Sequence, residues 1–140
     1  MRNSELSRRW RLRPLWETVG LAMVGVIVVL SLVPAQMVPA AGGLNDKVGH
    51  ALSYSLAMGW YAQVRATAGG RAGWAIALSV LGGLLEVLQG QTETRHFEWA
   101  DILADWVGVA AGWMLSVRLC PDALHQLDAW IARDWSARRV

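Results

Sequence analysis

Lys47, His50 and Tyr54 follow one another at i, i+3 and i+7, so on a helix they share one face, and Lys47 is the only lysine in the chain. Glu86 and Gln89 stand one helical turn apart with Gly82 a turn before them, and Asp101, Asp105, Gly108 and Gly112 fall on a single stripe. These residue types permit acid–base or covalent chemistry. His50 would be general base or nucleophile, Glu86 or Asp101 its partner carboxylate, and Arg95 a stabiliser of charge developing on a phosphoryl or acyl oxygen. They permit binding equally well. Lys47 and Arg95 would meet a phosphate or carboxylate, with Tyr54, Gln89 and Asp105 lining the pocket. His50, Glu86 and Asp101 have the atom types of metal ligands, but no tight spacing such as HExxH accompanies them. Neither a metal nor another cofactor is therefore expected. The plainer alternative is structural: Lys47 and Arg95 snorkelling at an interface, and Glu86 or Asp105 tying helices together through a buried pair.

The elements that must position these groups are helices in a membrane. Of 140 residues, 54% are hydrophobic, and a helix of about 20 mostly apolar residues crosses a hydrocarbon core of roughly 30 Å. Four stretches come near that length: Thr18 to Pro34, Asp46 to Val64, Ala72 to Gly90, and Trp99 to Leu119. The expected fold class is thus all-α, a polytopic four-helix transmembrane bundle. A basic juxtamembrane leader (1–17) precedes the membrane domain (18–120), and a cytoplasmic amphipathic helix (121–140) follows, with Pro121 in its first turn.

Charge sets the orientation. Arg2, Arg8, Arg9, Arg11 and Arg13 precede the first stretch, Arg65 and Arg71 bracket the turn after the second, and Arg118, Arg133, Arg138 and Arg139 follow the fourth. By the positive-inside rule both termini are cytoplasmic, as in a multi-pass protein of a bacterial inner membrane. In the leader, Trp10, Leu12, Leu15 and Trp16 suit a segment lying on an anionic leaflet. Pro34, Pro39, Gly42 and Gly43 mark the first outer loop, and Asn45 and Asp46 are capping residues for the next helix. Gly69 and Gly70 mark a tight turn at Arg65 to Arg71, flanked by Trp60, Tyr61 and Trp74 as an interfacial aromatic belt. In the tail Leu124, Leu127, Ile131 and Trp135 recur at helical spacing. An alternative for the first stretch is the apolar core of a secretory signal, cleaved near Val38-Pro39-Ala40.

On the four-span topology His50, Glu86 and Asp105 lie about 6, 6 and 10 Å inside the outer ends of their helices. They converge on one leaflet, and Arg95 and His96 fold over them from the outer loop. A net charge of +2, with no solvated basic domain, gives no footing for nucleic acid. The single cysteine, Cys120, forms no intramolecular disulfide.

The run Asp46-Lys47-Val48-Gly49-His50 with Tyr54, then Glu86-Val87-Leu88-Gln89, Arg95, Asp101, and Asp105-Trp106-Val107-Gly108 with Gly112, resembles the VanZ-like family of small bacterial membrane proteins. The likeness covers roughly residues 46 to 112. It implies a four-helix membrane fold and, for the name-giving member, low-level resistance to the glycopeptide teicoplanin. Members commonly carry asparagine where this chain has Asp105, which gives this pocket an additional carboxylate. The resulting expectation is an outward-facing pocket that binds or shields an envelope lipid, a lipid-linked glycan or a lipoglycopeptide. The alternatives are a membrane-embedded hydrolase or transferase acting on a lipid headgroup, a proton relay through Glu86 and Asp105, and a structural partner of envelope biosynthesis proteins.

Overall fold

A computed structural model describes residues 10–34, 37, 46–92 and 95–137. They form five helices: α1 (Arg13–Leu32), α2 (Asp46–Val64), α3 (Ala68–Gln89), α4 (Trp99–Leu119) and α5 (Ala123–Ala137). The expected features at Pro39, Gly42, Gly43, Asn45, the Val38-Pro39-Ala40 cleavage site, and arginines Arg2, Arg8, Arg9, Arg138 and Arg139 lie outside the described residues, as does the side chain of Trp135.

The outer limits of α2 and α4 agree with the sequence expectation, whereas α1 and α3 start earlier. Pro14 sits in the first turn of α1, where its missing N–H costs nothing, so the helix takes in residues expected in the leader. Thr67 caps α3 by accepting the N–H of Gly70 at 3.1 Å. Gly69, Gly70 and Arg71 are therefore helical, and residues 65–67 alone make the turn. Pro121 lies before α5 in a turn with Asp122, outside the helix it was expected to start.

Three helices, α1, α3 and α4, are long and apolar enough to cross a membrane. They turn large apolar residues outward, among them Leu21, Val29, Ile76, Val80, Leu84, Leu103 and Val107. α2 has the length but not the hydropathy, because Asp46, Lys47, His50, Gln63 and its serines interrupt it. It is nevertheless the central helix, packing against each of the others. Its inner face buries Tyr54, Ala57, Met58, Tyr61 and Ala62, and its outer face exposes Val48, Leu52 and Leu56 at i, i+4 and i+8.

Contacts between named residues fix the helix directions. α2 and α4 run parallel: Lys47 meets Asp101, His50 meets Asp105, and Ser116 Oγ donates to the Gly59 carbonyl at 3.0 Å. Farther along, Gln63 donates to the Ser116 hydroxyl at 2.7 Å and to the Cys120 carbonyl. Glycine makes this approach possible, since a Cβ at Gly108 would strike the carbonyl of Ala51 and one at Gly112 that of Ser55. α1 runs the other way. Its start lies by Trp60, whose indole donates to the Trp16 carbonyl at 2.9 Å, and its end lies by Gln89, which donates to the Ser31 carbonyl at 2.8 Å.

Of the aromatic residues expected as a belt beside the α2–α3 turn, Tyr61 is buried, whereas Trp60 and Trp74 are half-buried. The rings of Tyr61 and Trp74 stack with centroids 3.4 Å apart, and Tyr61 is buried against Gly20. The leader's end is likewise docked on protein. Trp10 and Leu12 pack with Trp16, Val64, Leu124 and Ile131, and Asp128 of α5 accepts the N–H groups of Arg11 and Leu12, both at 2.9 Å, and the Trp16 indole at 2.7 Å.

Candidate functional site at the α2–α4 end

Because α2 and α4 are parallel, both of their N-terminal turns open at the same end of the bundle, where α3 terminates. Each carries an aspartate in its first turn, Asp46 and Asp101, where unsatisfied N–H groups and the helix dipole favour a carboxylate. The sole lysine sits between them. Lys47 Nζ lies 2.6 Å from Glu98 Oε2 and 3.0 Å from Asp101 Oδ1. One turn deeper, His50 Nδ1 is 2.9 Å from Asp105 Oδ1.

α3 closes the floor. Gly82 leaves room for the Asp105 carboxylate and the Tyr54 hydroxyl, both of which would crowd a Cβ at that position. One turn on, Glu86 Oε1 accepts the backbone N–H of Glu98 at 2.6 Å and so anchors the segment entering α4. Glu98 thus supplies its N–H to one helix and its carboxylate to another. With its carboxylate drawn to Lys47, it makes no side-chain cap for α4 although it occupies the N-cap position. That ion pair holds the Glu98 carboxyl below its ordinary range.

Burial divides the site into floor and mouth. Glu86, Asp105 and Asp101 are 1%, 2% and 5% exposed, whereas the side chains of Lys47, Glu98 and His50 are 38%, 53% and 14% exposed. Buried carboxylates are costly unless paired, and here hydrogen-bonding or ionic partners reach Asp101, Asp105 and Glu86 from above.

Of the residues singled out in the sequence, Lys47, His50, Tyr54, Glu86, Asp101 and Asp105 come together. Two do not join them. Gln89 is buried but bonds α1 at Ser31, and the Arg95 guanidinium reaches the Leu30 carbonyl at 3.3 Å. The two cations meet different partners, Lys47 the carboxylates of Glu98 and Asp101 and Arg95 an α1 carbonyl. The partner of His50 is Asp105, and the Glu86 and Asp101 carboxylates expected in that role bond Glu98 and Lys47. Glu98 was not singled out in the sequence. The available signal was an acid just before the Trp99 helix start, opposite the only lysine.

The arrangement resolves into two chemical pieces. An imidazole is held at Nδ1 by a buried carboxylate, which fixes the ring. Beside it, an ammonium is shared by two carboxylates. Comparisons with protein-family models, curated proteins and solved structures find no match for the chain.

Proposed function

We propose that the chain is a four-span inner-membrane protein whose site at the α2–α4 end faces outward and receives the headgroup of an envelope lipid. The observation carrying this reading is a partly open polar cluster, floored by buried carboxylates, at one end of a bundle with an apolar exterior. Ionisable groups in such a setting mark ligand sites by default.

Two features support α2 as the fourth span. Its Lys47, His50 and Gln63 side chains find partners on α4, and Val48, Leu52 and Leu56 give it an apolar outer stripe. The cations support the orientation. Arg11, Arg13, Arg65, Arg71, Arg118 and Arg133 gather at or beyond the end opposite Lys47, so the positive-inside rule assigns that end and both termini to the cytoplasm.

The headgroup reading follows from charge. Lys47 is already neutralised by Glu98 and Asp101, and carboxylates outnumber cations at the mouth. The complementary headgroup presents hydroxyl or amine donors, as the sugar of a lipid-linked glycan or lipoglycopeptide does. The resemblance to the VanZ-like family adds an envelope or glycopeptide-resistance context to this chemistry. Native mass spectrometry from mild detergent tests it. A glycosylated lipid should accompany the wild type and be lost from Lys47→Ala, His50→Ala and Glu86→Ala; identical lipids in all four samples would refute the binding site.

The His50–Asp105 pair favours a second reading, acid–base chemistry on the bound headgroup by a membrane hydrolase or transferase. It requires turnover of a lipid-linked substrate by purified protein and loss of that turnover in His50→Gln with the lipid still bound.

A further inference from the structure

The geometry points to a divalent metal site at the mouth of the bundle, formed by Asp46, His50 and Asp101. One nitrogen of His50 and one oxygen of each aspartate lie within 4.8 Å of one another, a spread that a single ion at ordinary coordination distances of about 2.0–2.2 Å would draw together with small side-chain rotations. The three residues come from two helices, separated by more than fifty positions in sequence, and meet because α2 and α4 start side by side.

An acidic patch alone would say little. The decisive feature is Asp105, which is outside the ligand set. It holds His50 at Nδ1 from a buried position 2.9 Å away. That is how proteins present a ligating histidine: a carboxylate on one ring nitrogen fixes the tautomer and aims the lone pair of the other. A histidine whose only task was to neutralise Asp105 would need no second set of carboxylates near its ring.

The charge balance points the same way. Asp46, Glu98, Asp101 and Asp105 lie around one lysine and one imidazole, so the mouth carries surplus negative charge. Lys47 competes for Asp101 but also has Glu98 at 2.6 Å, so Asp101 can turn to an ion while the ammonium stays paired. One imidazole with two carboxylates suits Mn²⁺ or Zn²⁺ and leaves coordination positions open toward the outside.

This inference stands apart from the headgroup reading, since metal binding by lipid-free protein and lipid binding in EDTA fail separately. The test is titration of the full chain, stripped with EDTA in mild detergent, with Mn²⁺ or Zn²⁺ followed by calorimetry and native mass spectrometry. One ion per chain is expected, weakened at least tenfold in Asp46→Asn, His50→Gln and Asp101→Asn. Asp105→Asn should weaken it by about 10–100-fold with the stoichiometry kept. Lys47→Met, which removes the competing ammonium, should tighten it severalfold. Asp46 is exposed, so its variant and Lys47→Met decide the matter if a buried substitution prevents folding. No saturable binding, or binding indifferent to Asp46→Asn and Lys47→Met, would overturn the site.

Discussion

The two ends of the bundle each bury a carboxylate, and they satisfy it in opposite ways. At the α5 end Asp128 is 1% exposed and its partners are neutral, fixed donors: two backbone N–H groups and an indole. At the α2–α4 end Asp105 is as deeply buried, but its partner is an imidazole, and Asp101 above it answers to a lysine. Neutral donors that cannot move or titrate make a clasp. Titratable partners with an open side make groups that can exchange one partner for another. The contrast marks the α5 end as a fixed clasp and the α2–α4 end as the one whose groups have exchangeable partners, which is why the proposed ligand site lies there.

The sharpest way to break the comparison is to pry apart the helices that create the open end. Gly108→Ala drives a methyl into the Ala51 carbonyl, and because backbone cannot step aside as a side chain does, it should cost about 3 kcal/mol. Thermal unfolding in detergent measures this against Gly83→Ala, whose position is open and should be unaffected. Next in size is Asp128→Ala. It strands donors that a carboxylate satisfied and should cost about 2 kcal/mol, with faster hydrogen exchange confined to residues 10–16 and α5.

Acid distinguishes the clasp in another way. Burial pushes the Asp128 carboxyl up, but hydrogen bonds from Arg11, Trp16 and Leu12 more than offset this and hold it below its ordinary range. A group depressed on folding contributes its full stability above the unfolded aspartate value of about 3.9 and loses it as pH falls through the lower folded value. Hydrogen exchange of α5 should thus be unchanged from neutral pH down to about 4 and accelerate below it, beyond the intrinsic pH effect, in the wild type but not in Asp128→Asn. A smaller effect is expected from Trp16→Phe, which removes one of the three donors and should cost about 1 kcal/mol. Smallest is Glu98→Gln at the opposite end. Its ion pair with Lys47 is exposed, so the unfolding temperature should hold steady; a large drop would mean the open end is a clasp too.

How much of this was legible in the sequence depended on whether spacing or neighbours decided it. The limits of α2 and α4, and the shared faces Lys47-His50-Tyr54 and Asp101-Asp105-Gly108-Gly112, follow from helical period alone. The starts of α1 and α3 did not, because Pro14 and the Thr67 cap outweighed a leader-like composition and a pair of glycines. Gln89 has the right spacing from Glu86 for the site, but a turn of helix sweeps enough angle to bring it against α1. Asp46, Glu98 and Asp128 resemble ordinary solvated acids in sequence; only the neighbours brought by the fold distinguish them. The membrane reading shows a related limit: α2, counted as a span from its length, falls short of the hydropathy of α1, α3 and α4 and yet occupies the centre of the bundle.

The three-residue turn at 65–67 has a consequence for how such a helix reaches its place. The turn ties α2 tightly to α3, and Arg71 stitches it to the Ala62 and Arg65 carbonyls. On the four-span topology the two helices enter as one hairpin, and the apolar surface of α3 carries its polar partner across the interface. On that same proposed topology, lengthening the turn would separate the insertion of one helix from that of the other and leave α2 stranded at the membrane surface.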